Sequence, residues 1–257
     1  MSEIKIIVAA HKPYRIPNDP IYLPVQVGAA GKDSIGFQRD DEDENVSEKN
    51  YSYCELTGLY WAWKNLKADY IGLAHYRRHF CLGKKADKFS CVLRSEQAEQ
   101  LCLQYPVIVA NKRRYFIESI YSHYVHSHKA EGIDALIALI DTEYPDYAPA
   151  CHAVMKRTWA HMFNMFIMRR DILDAYCAWL FEVLGKLETK VDISSWNSSE
   201  QRIYGYMGEF MLDMYLQTHH IPVKEVRVLF MEDQSMIKKA FAAAKRKFFK
   251  NSRGLND

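Results

Sequence analysis

Glycine and proline are scarce in this chain, 11 and 8 among 257 residues, and they are scattered, so no flexible linker or low-complexity segment divides it. No internal repeat of useful length is present, which excludes solenoid and propeller architectures. The formal charge is only +2, so the chain as a whole lacks the field of a nucleic-acid binder. The six cysteines, Cys54, Cys81, Cys91, Cys102, Cys151 and Cys177, contain no C-x-x-C pair. Lying mostly in apolar surroundings, they read as reduced core residues and not as a disulfide framework or zinc site. His123, His126 and His128 do not share one helix face, which argues against a zinc cluster there too. No run approaches eighteen apolar residues, and the opening MSEIKIIVAAHK lacks the charged lead and long apolar stretch of a signal peptide. A cytoplasmic protein is expected.

What is there suffices for one α/β domain, since 49% of the residues are hydrophobic. Apolar runs predict strands over 4–10, 25–27, 70–74, 106–110, 161–168 and 223–230. Helical periodicity covers 51–66, 95–104, 116–128, 132–142, 171–187 and 198–218. Strands alternating with helices predict a mainly parallel sheet covered on both faces. This domain is expected to occupy residues 1–232, with 233–257 as a separate tail.

The most informative stretch is DYIGLAHYRRHF, residues 69–80, where a buried strand runs into His75, Tyr76, Arg77, Arg78 and His79. Ligands of open α/β sheets bind at the carboxyl ends of strands, and paired arginines there grip a phosphate at any relevant pH. An anionic partner follows. A second candidate lies upstream in DDEDENVSEKN, residues 40–50, where Asn45, Ser47, Lys49 and Asn50 precede a predicted helix start, a place that favours anions. Near the N-terminus, His11, Lys12 and Tyr14 follow the first strand; a lysine there meets a phosphate and a tyrosine stacks. In the tail, Met236, Ile237, Phe241, Phe248 and Phe249 alternate with seven lysines and arginines, the pattern of a basic amphipathic segment that lies on an anionic membrane.

The segments AAHKPY, YLPVQVGA, NVSEKN, YCELTGLYWAWKN and DYIGLAHYRRHF, with HMFNMFIMRRDILDAYCAWLF and QRIYGYMGEFMLDMYL, resemble a family of bacterial capsular and exopolysaccharide glycosyltransferases known as a domain of unknown function. The resemblance covers roughly residues 3–230. It implies a GT-A-like, Rossmann-type domain that moves a hexose from a UDP-sugar to a lipid-linked or growing surface polysaccharide, as in capsule, O-antigen, lipopolysaccharide or exopolysaccharide, and some members handle galactofuranose.

On that resemblance, His11, Lys12, Asn45, Ser47, Lys49, Asn50, His75, Tyr76, Arg77 and Arg78 are the donor and diphosphate residues, with Arg77 or Arg78, helped by Lys49, as the clamp. Glu209 and His161 are the candidates for the base an inverting transfer requires, and Asn164 and Arg202 are placed toward the acceptor. Glu209 also reads as a buried salt-bridge partner of Arg202. No cofactor is assigned. An Asp-x-Asp metal motif is absent from the end of the central strand, and Asp40, Asp41 and Asp43 leave manganese or magnesium open. Peripheral contact with the inner face of the cell membrane is expected through the tail, and no nucleic-acid partner. The rival function is a non-catalytic module that binds a sugar nucleotide or glycan.

Overall fold

The computed structural model describes residues 2–83 and 87–232. Its strands are β1 (Ile4–Ala10), β2 (Tyr22–Gln26), β3 (Gln38–Arg39), β4 (Tyr70–His75), β5 (Arg78–Cys81), β6 (Val107–Ala110), β7 (Arg113–Arg114), β8 (Trp159–Ala160), β9 (Phe166–Arg169) and β10 (Val223–Phe230). Its α-helices are α1 (Asn50–Tyr53), α2 (Leu56–Asn65), α3 (Ser95–Cys102), α4 (Ile120–Val125), α5 (Ala130–Glu143), α6 (Ala148–Lys156), α7 (Arg170–Glu188) and α8 (Ile203–Thr218).

β1 is buried at every residue but Lys5, as a strand covered on both faces requires. Alternation then divides its side chains between two cores. Ile7 and Ala9 pack with α2, α7 and α8, whereas Ile4, Ile6 and Val8 pack with Tyr22, Leu93 and Ala98 of α3 on the opposite face. β2 and β4 flank β1 in parallel, and β3 extends the sheet beyond β2.

Beyond β4 the direction changes, and the sheet is mixed, where strand–helix alternation predicts a mainly parallel one. β9 runs antiparallel to both β4 and β6, while β10 lies parallel to β6 and antiparallel to β5. Chain length explains the first reversal. Only Tyr76 and Arg77 separate β4 from β5, which closes a hairpin but leaves no room for a parallel crossover. At the middle of β4, Gly72 admits β9 closely; a Cβ there would lie 2.8 Å from the Phe166 carbonyl oxygen.

Three elements depart from the periodicity. The helix predicted over 51–66 is two helices, broken at Cys54, whose φ is 53°. The helix predicted over 116–128 is only α4, preceded by an exposed turn. The strand predicted over 161–168 is only β9, because Phe163 and Asn164 take φ values of 77° and 52° that no strand accommodates. α6 is an addition, opened by Pro149 in its first turn, where the missing N–H has no intrahelical partner. The six cysteines form no disulfide among the described residues. Among the described residues no helix is long and apolar enough to cross a membrane. The expected basic segment between Met236 and Arg253 lies outside the described residues.

Candidate active site

The β4–β5 hairpin distributes its side chains between two neighbouring environments. The first is basic and aromatic. Tyr76 is buried against His11 and Tyr14, with ring centroids 5.2 and 4.9 Å away. Lys12 Nζ and the Arg77 guanidinium lie 5.6 and 5.0 Å from the same ring centroid. Burial lowers the His11 pKa, and the charges that lower it further are Arg77, Lys12, Lys32 and Arg202. Five basic residues thus converge near the carboxyl ends of β1 and β4. Among the described residues no carboxylate forms an ion pair with Lys12, Lys32 or Arg202, and Arg77 reaches only Glu232 at 3.4 Å.

The second environment centres on two glutamates. Glu209, on the otherwise mostly buried α8, is partly exposed and accepts the Phe163 N–H at 2.9 Å. Its pKa rises to about 7, chiefly through burial and then through repulsion from Glu55; the Phe163 N–H, Arg78 and Arg113 oppose the rise. Arg78 lies over the rings of Phe163 and Phe230, 4.5 and 5.8 Å from their centroids, and its Nε is buried without a hydrogen-bond partner among the described residues. Burial lowers its pKa while Glu209 and Glu55 oppose the change. Glu55 accepts a hydrogen bond from Asn164 Nδ2 at 2.7 Å and lies 3.8 Å from His75 Nε2. That same Nε2 is 2.6 Å from the Phe163 carbonyl oxygen, so it carries the proton and donates it there. Burial lowers the His75 pKa more than Glu55 raises it, favouring the neutral ring.

α8 supplies the room as well as the carboxylate. Gly205 offers its carbonyl to Asn164 Nδ2 at 3.0 Å, and a Cβ on Gly208 would lie 2.9 Å from both Asn164 Oδ1 and Leu56. The strained backbone at Phe163 and Asn164 is therefore held from several sides.

The predicted residues sort accordingly. His11, Lys12, Tyr76 and Arg77 share the basic environment, and Glu209, His75, Arg78 and Asn164 share the second. Arg202 acts electrostatically on residues of both, His11 and Cys54, and is exposed. It is Cys54 Sγ, 3.2 Å away, that receives the Arg202 Nε–H, so a buried Glu209–Arg202 salt bridge is not formed. Asn164 is buried and both contacts of its Nδ2 are internal, so it positions Glu55 instead of facing an acceptor.

His161 is likewise buried: its N–H donates to Asp213 Oδ2 at 3.0 Å and its Nδ1 lies 2.5 Å from Asp213 Oδ1. That ring packs against Trp159, and its Nε2 is buried without a hydrogen-bond partner among the described residues, 3.7 Å from Glu225 Oε1, so it shares none of the contacts of Glu209.

The segment before α1 is also a correction. The fully buried Asp40 accepts the N–H groups of Gly28 and Ala29 and the hydroxyls of Ser47 and Thr57. The Ser47 hydroxyl is thus engaged by a carboxylate of the chain itself. Asn50 bonds to Thr57 and the Cys54 carbonyl, Asn45 to the carbonyls of Asp41 and Asp43, and Lys49 pairs with Glu188 at 2.7 Å. Lys49 is thus engaged by a carboxylate of α7.

An Asp-x-Asp string does exist, Asp41–Glu42–Asp43, but it follows β3, and Asp41 is paired with Arg39 at 2.6 Å. Among the described residues no group of three or more His, Cys, Asp or Glu side chains is placed to hold a metal ion. The donor set at the β4 end therefore does not fit one.

Glu55, Lys32, Arg113 and Phe163 are the site residues that sequence reasoning misses. Glu55 reads as the polar face of a continuous helix; the left-handed Cys54 beside it is what redirects it. The signal available was one carboxylate inside the aromatic run YSYCELTGLYW.

The family described as Domain of unknown function (DUF4422) matches residues 5–220. No curated protein matches the chain. Among solved structures, the apo structure of the WbbM bifunctional glycosyltransferase is similar at 30% identity with a TM-score of 0.81. That match covers 90% of this chain and 46% of the WbbM chain, so this chain spans about half of its solved relative.

Proposed function

Because the chain belongs to the DUF4422 family, we propose that it is a glycosyltransferase domain of GT-A type that moves a hexose from a UDP-sugar to a surface-polysaccharide acceptor with inversion. The observation that carries the reading is Glu209, a carboxylate whose pKa near 7 suits a general base, one hairpin strand away from a basic cluster in which Lys12, Lys32 and Arg202 form no ion pair with a carboxylate among the described residues.

In this reading Glu209 takes the proton of the acceptor hydroxyl as its oxygen attacks the anomeric carbon. The bond to the diphosphate breaks on the opposite face. His11, Lys12, Lys32, Arg77 and Arg202 stabilise the charge that develops on the leaving diphosphate, with Tyr14 and Tyr76 as apolar walls. Arg78 stays beside the two carboxylates and tempers Glu209. Asn164 and His75 hold Glu55 and the Phe163 carbonyl, so their part is positioning. No step is routed through a metal.

The solved relative is a bifunctional glycosyltransferase, and similarity to 46% of its length supports reading this chain as the counterpart of one part of such a protein. Galactofuranose is one donor sugar this reading accommodates, and the acceptor is a lipid-linked or growing capsule, O-antigen or exopolysaccharide chain. A peripheral position on the inner face of the cell membrane, through the basic tail, would place the domain beside that acceptor.

The test is UDP release from a panel of UDP-sugars with and without acceptor glycan. Turnover that depends on acceptor and is abolished in Glu209→Gln supports the reading. Tight donor binding without turnover would instead establish the non-catalytic sugar-nucleotide module.

A further inference from the structure

The turn between β7 and α4 carries Phe116 and Ile117 side by side, 83% and 95% exposed. Among the described residues the other large exposed apolar side chains, Tyr51, Leu82 and Leu103, stand singly in the sequence. Phe116 has φ 62°, and the Ile117 N–H bonds to the Tyr115 carbonyl at 2.8 Å, a tight three-residue turn that a bulky side chain rarely adopts. The turn is tethered on both sides. The Tyr115 N–H donates to Thr158 O at 2.8 Å and the Ile120 N–H to Arg157 O at 2.7 Å. Strained backbone and solvated apolar surface both cost stability, and here they occur together at a fixed tip.

A cationic collar surrounds that tip. Arg113 and Arg114 precede it, and both are exposed. Arg114 has no carboxylate partner among the described residues. Lys112 and Arg157 lie over the Trp159 ring from β8, 4.3 and 4.4 Å from its centroid. Nearby acids are Glu118, hydrogen-bonded to His123 and His126, and Glu225, paired with Lys112, which leaves Arg113, Arg114 and Arg157 without a carboxylate partner among the described residues. The turn also adjoins the glutamate site, since Arg113 acts on Glu209 and Arg78, and Glu209 acts on Tyr115.

We propose that the turn at residues 113–118 is a membrane-contact element that inserts Phe116 and Ile117 into an anionic lipid surface, with Arg113 and Arg114 at the headgroups. Two apolar side chains below a ring of cations match acyl chains below phosphates. A sugar platform fits less well, because Ile117 offers no aromatic face. The contact deepens the transferase reading, on which it rests only for its purpose: it would hold the Glu209 site against the bilayer that carries a lipid-linked acceptor.

The experiment uses the full chain with the double substitution F116S/I117S. Sedimentation is measured with vesicles of phosphatidylcholine alone and with phosphatidylglycerol added, and amide exchange of residues 113–118 is followed with each. We expect the variant to bind the anionic vesicles about tenfold more weakly. Exchange at 113–118 in the unsubstituted protein should slow with anionic vesicles and not with neutral ones. Equal binding by both proteins, with exchange at 113–118 unchanged, would overturn the proposal and leave any binding to the tail. UDP release with a soluble acceptor should be unaltered in the variant, and its loss would assign the turn to the acceptor site instead. If the unsubstituted protein shows no turnover, the transferase reading fails, while the vesicle and exchange results still decide the membrane contact.

Discussion

Glu209 and Asp213 stand one turn apart on α8 and hold the same loop, Glu209 through the Phe163 N–H at 2.9 Å and Asp213 through the His161 N–H at 3.0 Å. Between these anchors the backbone passes through left-handed conformations at Phe163 and Asn164, each costing on the order of 1–3 kcal/mol. The distortion turns the Phe163 carbonyl toward His75 and the Asn164 amide toward Glu55. One helix thus provides both the scaffold of the loop and the proposed base.

Replacing Glu209 by Gln keeps the shape and removes the proton acceptor. Turnover should fall by about 10²–10⁴ while donor affinity changes little. The rate of the unsubstituted enzyme should rise with pH through about 7, where Glu209 loses its proton, and then level off. A loss smaller than tenfold, or a flat profile between pH 5 and 8, where the limb should lie, would show that another group is the base.

The same carboxyl makes a stability prediction. Its folded pKa of about 7 lies above the ordinary 4.5, so the native protein retains a proton that the unfolded chain releases between those values. Stability from this group is therefore full below pH 4.5 and declines as pH rises through 7, by up to about 3 kcal/mol. Glu209→Gln should match the parent protein in urea unfolding near pH 4.5 and exceed it above pH 7. A stability difference that does not vary with pH would contradict the raised pKa.

Arg77 and Arg78 should separate in function. Arg77→Ala removes a cation from the basic environment and should weaken UDP-sugar binding by about 1.5–3 kcal/mol, leaving the pH profile in place. Arg78→Ala withdraws positive charge from Glu209 and should move the rise in the pH profile to higher pH. Calorimetry and pH–rate profiles of both variants make the comparison. Identical behaviour of the two would refute the division of the hairpin.

Gly208→Ala tests the loop from the helix side. Alanine improves helix propensity by about 1 kcal/mol, yet its Cβ would press on Asn164 Oδ1 and Leu56 at 2.9 Å, and such overpacking costs about 1–3 kcal/mol. Stability should fall by no more than about 2 kcal/mol, the difference of those opposing effects, while turnover drops more than tenfold because Asn164 no longer holds Glu55. Unchanged turnover would mean that this contact is dispensable.

Activity should survive exhaustive treatment with EDTA. The carboxylates at the end of β4 are engaged with Asn164 and Phe163, and the diphosphate is assigned to cationic side chains. Activity lost to EDTA and restored by manganese or magnesium would sink that assignment.

By itself the sequence determined the elements whose signal is local. β1, β4 and β10 are legible as apolar runs, α7 and α8 as periodic ones, and the HYRRH turn as a place where an apolar strand meets dense charge. Burial of neighbouring residues on a common face requires no knowledge of distant chain. Only the tertiary structure decided which distant groups meet. Whether β5 and β9 pair antiparallel depends on partners elsewhere in the sheet, and whether Ser47 and Asn50 are free depends on Asp40 reaching the one and Thr57 the other. Glu55 precedes α2 and Glu209 lies on α8, and no spacing between them announces that a left-handed Cys54 and two helix glycines bring them to one loop. Their mutual repulsion, and with it the raised pKa of Glu209, exists only at that separation and in that desolvated place, because Coulomb energy depends on distance and dielectric and not on position in the chain.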